Sequence, residues 1–172
     1  FSAGFSLKEL EKLAEKLGSD VPFCVRGGTV LAEGTGTSLS DLPPLPECAV
    51  LVCKPSFSIS TPELFSKIDC KKIKCRPDTN GIIDSLGRGD IRGVGMRLYN
   101  VFEDVLEREK DKIEEIKSTM YDCSALGACM TGTGSAVFGI FDGRETAEQA
   151  EKLLAGENMC HIAFPVGKIL AD

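Results

Sequence analysis

The run Pro43-Pro44-Leu45-Pro46 constrains the fold of this chain more than any other feature. Prolines carry no backbone N–H and cannot continue a helix or a central strand, so the run reads as a linker. It separates residues 1–46 from residues 47–172. Just beyond it, Ala49–Lys54 is a continuous apolar run of strand length, as expected at the middle of a sheet. Ser60-Thr-Pro-Glu63 then has a hydroxyl cap, a proline just inside and an acid in the first turn, which predicts a helix to about Ile68. Helical patterning resumes over 81–88, 90–107 and 110–120. Ser124–Met130 and Ser135–Phe141 read as strands, Glu145–Leu154 as a helix and Cys160–Val166 as a final strand. Strand, helices, strand, strand, helix, strand is the split βαβ pattern with extra helices. The expected class is α+β, a ferredoxin-like sandwich.

The segment before the linker is a smaller unit. Leu7, Leu10, Leu13, Ala14 and Leu17 keep helical spacing over residues 6–17. Ser6 and Glu9 have the spacing of a capping box, and Gly18 is a natural stop. Asp20-Val-Pro22 starts a new short helix, with the acid at the cap position and Pro just inside. Thr29–Glu33 and Thr37–Leu42 flank Gly34-Thr-Gly36 as a hairpin.

Charge and composition exclude several function classes. The net charge is −6, against the basic face that nucleic acid or an anionic membrane requires. No apolar run approaches the ~20 residues of a membrane span. Eight cysteines stand at 24, 48, 53, 70, 75, 123, 129 and 160 without a CxxC, and His161 is the single histidine. That spacing gives no zinc site, and no residue is assigned to a metal. Most of the thiols lie in apolar runs and read as small buried hydrophobes in a reducing cytoplasm. His161, between Cys160 and Ile162, reads as an edge-strand residue rather than a base.

Four segments could carry chemistry. Asp20, anchored between Gly18 and Pro22, reads as a helix cap or as a carboxylate that orients a substrate hydroxyl, and the two readings are compatible. Thr131-Gly-Thr-Gly134 is either a plain hairpin turn or a backbone that approaches a phosphate closely. It lacks the Gly-Lys-Ser/Thr of a P-loop. Gly87-Arg-Gly-Asp-Ile-Arg-Gly-Val-Gly95 does not follow a buried strand, so a dinucleotide loop is disfavoured against flexible joints between short helices. The basic stretch Lys67–Arg76 reads as a solvated loop, with steering of an anionic substrate as the alternative.

Taken together, these runs resemble the GHMP small-molecule kinases. Leu17-Gly-Ser-Asp-Val-Pro-Phe23 is similar to the family's acid-bearing segment, and Met130-Thr-Gly-Thr-Gly-Ser-Ala-Val-Phe138 to its C-terminal Gly motif. Lys54–Phe65 and Asn100-Val-Phe-Glu-Asp-Val105 are similar to segments of the branch that acts on a cytidyl-diphosphate methylerythritol in non-mevalonate isoprenoid biosynthesis. The resemblance implies a GHMP C-terminal ferredoxin-like domain over 47–172 and a remnant of the N-terminal kinase domain over 1–46. It implies transfer of the ATP γ-phosphate, with Mg2+, to the 2-hydroxyl of the methylerythritol moiety.

By the same resemblance Asp20 is the catalytic carboxylate. Phe65 stacks on the cytosine with Thr61 and Pro62 beside it, and Gly132, Thr133 and Gly134 support the phosphate region. The partners implied are the cytidine-diphosphate substrate and ATP, with no nucleic acid or membrane. The family's early Lys and Gly-rich Ser-Ser ATP loop do not occur in residues 1–172. The start at Phe1 therefore reads as a cut inside a larger protein, inactive alone, with an exposed N-terminal apolar face able to dimerise. Two alternatives stay open: another GHMP kinase acting on homoserine, mevalonate or a sugar, and a catalytically silent ferredoxin-like binding module.

Overall fold

The computed structural model describes residues 4–68, 73 and 75–168. It divides into two compact units, one of Phe1–Pro46 with the tail from Pro165, the other Glu47–Phe164. Each is described by itself.

In the first unit, α1 (Leu7–Ala14) is started by the full capping box. Ser6 Oγ accepts from the Glu9 N–H, and the Glu9 carboxylate accepts from the Ser6 N–H at 2.8 Å. Those hydrogen bonds hold the Glu9 carboxyl below the usual range. The helix closes at Ala14, one turn earlier than the apolar spacing predicts, which leaves Leu17 80% exposed beyond its end. α2 (Val21–Arg26) follows, then the hairpin of β1 (Val30–Glu33) and β2 (Ser38–Asp41), with Glu33 opposite Ser38.

Charge ties this unit together. Arg26 grips Glu11 with two nitrogens, at 2.5 and 3.1 Å, and reaches Asp41 at 3.3 Å. Lys168 pairs with the other Asp41 oxygen at 2.8 Å and bridges to Gly27. The Lys168 hydrogen bond holds the Asp41 carboxyl below its ordinary range. These bonds place Pro165–Lys168 with the first unit, whereas the sequence reading puts the whole tail with the second.

The second unit is built on β3 (Ala49–Pro55), β4 (Gly127–Met130), β5 (Val137–Phe141) and β6 (Asn158–Ala163), in the order β4-β5-β3-β6 and antiparallel throughout. β3 is central as expected. Ala49 faces Phe141 on one side, and Val50 faces Ala163 on the other. β4 therefore runs parallel to β3 with β5 between them, and β6 parallel to β5 with β3 between them. These are two split βαβ units, the ferredoxin-like arrangement.

The crossover helices α6 (Lys110–Asp122) and α7 (Arg144–Leu154) bury Ile113, Ile116, Met120, Ala147, Ala150 and Leu154 against one sheet face. Leu51, Cys53, Val137 and Phe141 meet them from the strands. Each fully buried large aliphatic or aromatic side chain there is worth about 1.5–3 kcal/mol.

The insert before α6 holds α3 (Thr61–Lys67), α4 (Thr79–Gly87), α5 (Ile91–Gly95) and a 3-10 turn, Val101–Val105. The helix expected over 90–107 is thus broken, because Asn100 leaves helical geometry (φ −131°, ψ 114°) to cap the 3-10 turn. The glycines of 87–95 are corrected in part. Gly89, at φ +66°, does make a joint. Gly93 and Gly95 instead allow close packing: a Cβ on Gly95 would lie 2.6 Å from the Leu126 carbonyl oxygen, and one on Gly127 would lie 2.1 Å from that of Gly95. The final strand begins and ends earlier than the sequence suggests, at Asn158 and Ala163. Half of the basic stretch Lys67–Arg76, including Cys70, lies outside the described residues.

Candidate functional site

Asp20 occupies the cap position of α2, but its side chain makes no capping bond. The cap expectation fails for two physical reasons. Its backbone is in the right-handed helical region (φ −89°, ψ −11°), whereas capping needs an extended residue. Pro22, one of the two positions whose amide a cap could hold, has no N–H. The carboxylate is exposed, and its hydrogen-bond partner is the Ser19 hydroxyl at 3.4 Å. Buried Pro22 fixes the turn beneath it. Asp20 is therefore an exposed acid that makes no capping bond.

In the second unit the structure brings together Thr61, Phe65 and the turn from Thr131 to Gly134. Ser60 caps α3 by accepting from the Glu63 N–H at 3.5 Å, and Pro62 sits in the first turn. The helix thus starts where the sequence predicts and presents Thr61 and Phe65 one turn apart on one face. Thr61 Oγ1 lies 2.9 Å from Thr133 Oγ1. The Phe65 ring stands edge-on to Phe102, with centroids 4.9 Å apart and planes at 68°. It is 58% exposed. Pro62 is exposed beside it.

The turn is closed by the Gly134 N–H donating to the Thr131 carbonyl and the Thr131 N–H donating to the Ala136 carbonyl, both at 2.9 Å. Gly132 and Gly134 have φ of +54° and +84°. Gly134 also has no room for a side chain, since a Cβ would come within 2.6 Å of Met130 Sδ and 2.8 Å of Ile59. The Gly134–Ser135 peptide is cis.

Several residues that support this turn lie in runs quoted from the sequence for their resemblance but were given no role there. The Asn100 amide donates to the carbonyls of Met130 and Gly132, both at 2.7 Å. Its Oδ1 accepts from the Phe102 N–H at 3.0 Å, which fixes the amide orientation. Glu103 Oε1 accepts from the Met130 N–H at 2.6 Å, and Lys117 pairs with the other carboxylate oxygen. Burial alone would lower the Lys117 ammonium, but Glu103 and Glu114 hold it above its ordinary value. Ser135, 1% exposed, donates to the Phe57 carbonyl and accepts from Lys54. The signal that could have found this brace is the run Asn100–Val105 itself, whose polar residues Asn100, Glu103 and Asp104 are set among Val101, Phe102 and Val105.

Of the remaining chemistry-bearing groups, the buried thiols are structural. Cys48, Cys53, Cys123 and Cys129 are buried free thiols. Burial, with Cys160 beside it, pushes Cys53 up to about 12, and burial with Glu103 nearby does the same to Cys129. Both are therefore inert near neutral pH. His161 is exposed on edge strand β6, opposite Val52. Among the described residues no cluster of three or more His, Cys, Asp or Glu could hold a metal, and no helix is long and apolar enough to cross a membrane.

The second unit has the ferredoxin-like sheet order with a glycine turn between β4 and β5, and residues 82–157 match the family model described as GHMP kinases C terminal. The particular relatives are narrower. The chain is 38% identical over 148 residues to a 4-diphosphocytidyl-2-C-methyl-D-erythritol kinase of Clostridium tetani, covering 86% of this chain and 53% of that one. It is 39% identical over 150 residues to the enzyme of that name from Caldicellulosiruptor saccharolyticus, covering 87% and 52%. A crystal structure of a 4-(cytidine 5'-diphospho)-2C-methyl-D-erythritol kinase superposes with a TM-score of 0.77 at 27% identity, over 92% of this chain and 57% of that one. The chain spans about half the length of the curated relatives it matches.

Proposed function

We propose that this chain supplies the second half of a kinase that transfers the ATP γ-phosphate to the 2-hydroxyl of 4-diphosphocytidyl-2-C-methyl-D-erythritol in the cytoplasm, a step of non-mevalonate isoprenoid biosynthesis. The observation that carries the reading is the half-open Phe65 ring, held edge-on by Phe102 one helical turn from Thr61, within a chain so broadly similar to these kinases. An aromatic face with hydroxyls beside it suits a flat base.

Asp20 orients the acceptor hydroxyl and receives its proton; Phe65, Thr61 and Pro62 hold the cytosine; Gly132, Thr133 and Gly134 line the phosphate region. ATP with Mg2+ supplies the phosphoryl group and charge neutralisation when bound. What this chain's own residues contribute is alignment, which is most of what phosphoryl transfer asks of a protein. The Asp20 carboxylate, which makes no capping bond, and the glycine turn, exposed at Thr131 and Gly132, fit that chemistry. Residues 1–46 are read as part of the N-terminal kinase domain, and residues 1–172 alone as inactive.

The test is a phosphoacceptor panel run on the intact polypeptide, expressed from its complete reading frame. Phosphorylation of the cytidyl-diphosphate methylerythritol, with homoserine, mevalonate and sugars left unreacted, is the expected result. Preference for one of those other acceptors would reassign the substrate. Binding without turnover of any of them would leave a binding module.

A further inference from the structure

We infer that Asn100 is a positioning residue that turns the Thr133 amide outward as a hydrogen-bond donor for an anionic, phosphate-type oxygen. This deepens the kinase reading and rests on it for the identity of the anion.

The argument is one of peptide geometry. Among the described residues the one cis peptide bond is Gly134–Ser135, so the Gly132–Thr133 peptide is trans. In a trans peptide the C=O and N–H point in opposite directions. Asn100 Nδ2 holds the Gly132 carbonyl at 2.7 Å, so the Thr133 N–H is directed away from Asn100. The second bond of the same amide, to the Met130 carbonyl at 2.7 Å, anchors the strand end from which the turn springs. The amide cannot swivel, because its oxygen is held by the Phe102 N–H. Met130 is in turn fixed by Glu103 at 2.6 Å.

What is left over is specific. The N–H groups of Thr131 and Gly134 are consumed within the turn, but no described residue accepts from the N–H of Gly132 or Thr133. Gly132 is exposed, with no atom within 4 Å of where a Cβ would stand. Its glycine thus serves the φ of +54° rather than a steric demand, and the space above it is open. Successive amides without internal acceptors, held in a fixed direction, are the donor set an anion uses. Asn100 need not touch the ligand to set that direction.

The test uses the intact polypeptide and Asn100→Ser. Serine keeps a cap acceptor for the Phe102 N–H but is too short and too poor in donors to hold both carbonyls. Asn158→Ala is the control for lost stability. Its amide donates to the Leu154 carbonyl and makes none of the hydrogen bonds of this turn.

With 15N-threonine labelling and inorganic pyrophosphate as probe, the Thr133 amide is expected to shift saturably in the wild type and the control, and to stay in place in Asn100→Ser. In steady-state assays Asn100→Ser is expected to lower kcat about a hundredfold, as for loss of one preorganised donor, with the acceptor KM within threefold. A Thr133 amide that ignores pyrophosphate in the wild type, or that shifts equally in Asn100→Ser, would overturn the inference. So would a kcat within threefold of wild type in that variant. Should the wild type fail to phosphorylate the cytidyl acceptor while the amide still responds only when Asn100 is present, the kinase reading falls and the clamp stands.

Discussion

Thr61 and Thr133 meet hydroxyl to hydroxyl at 2.9 Å although 72 residues separate them in sequence. The contact pins the first turn of α3 to the glycine turn between β4 and β5. On the proposed kinase reading, replacing either by Val should raise the acceptor KM of the intact polypeptide about three- to tenfold, the worth of one net hydrogen bond, with kcat within twofold. A double-mutant cycle should give a coupling of about 0.5–1.5 kcal/mol. Strictly additive single effects would mean that the pair is not a functional link.

Asp20 is expected to separate activity from stability. Asp20→Asn should cut kcat about a hundred- to ten-thousandfold with little change in KM, because alignment and proton acceptance are realised in the transition state. Its melting temperature should stay that of the wild type, since the carboxylate makes no capping bond. A loss of about 1 kcal/mol with intact turnover would make Asp20 an ordinary cap after all.

The Phe65 ring carries the base-stacking assignment. Phe65→Ala should weaken acceptor binding about tenfold, whereas Phe65→Tyr keeps a stacking face and should stay near wild type. Phe102→Ala removes the edge-on support at 4.9 Å and should give an intermediate loss. Isothermal titration with cytidine diphosphate reads all three. Equal affinity in Phe65→Ala would take the ring out of the pocket.

Alkaline stability should report the buried thiols. Cys53 and Cys129 are raised from 9.0 to about 12 in the folded protein. In the unfolded chain they lose their protons near 9, so above that pH the unfolded state binds fewer protons than the native state. Stability is thus complete below about pH 9 and falls as pH rises towards 12, by up to about 1.4 kcal/mol per pH unit for each thiol. Urea melts across that range should show the slope, and Cys129→Ala should flatten it. A pH-independent midpoint would mean that these thiols ionise in place.

Most of the second unit is written in local patterns. The apolar run at Ala49, the Ser60 cap, the spacing on α6 and α7, and the glycine turn each announce their element within a few residues. The misses have one cause: they depend on partners distant in sequence. Asn100 looks like a polar residue in a helical stretch until β4 brings the carbonyls of Met130 and Gly132 to it. Gly95 looks flexible until Gly127 lies against it. Lys168 joins the first unit through Asp41, a pairing that no local motif encodes. At Asp20 the local rule misleads, because the same Pro22 that signals a helix start removes an amide a cap would use.

The position of β3 has a consequence for the order in which the unit can be made. Its registers with Phe141 and Ala163 mean that the central strand of the sheet is synthesised first and its neighbours last. During translation Ala49–Pro55 emerges as an apolar segment with both edges unpaired, and it stays so until almost the whole unit has left the ribosome. Folding therefore cannot proceed by zipping from the N-terminus. It waits on closure of a long loop, which favours slow assembly and makes the nascent chain a natural client for chaperones.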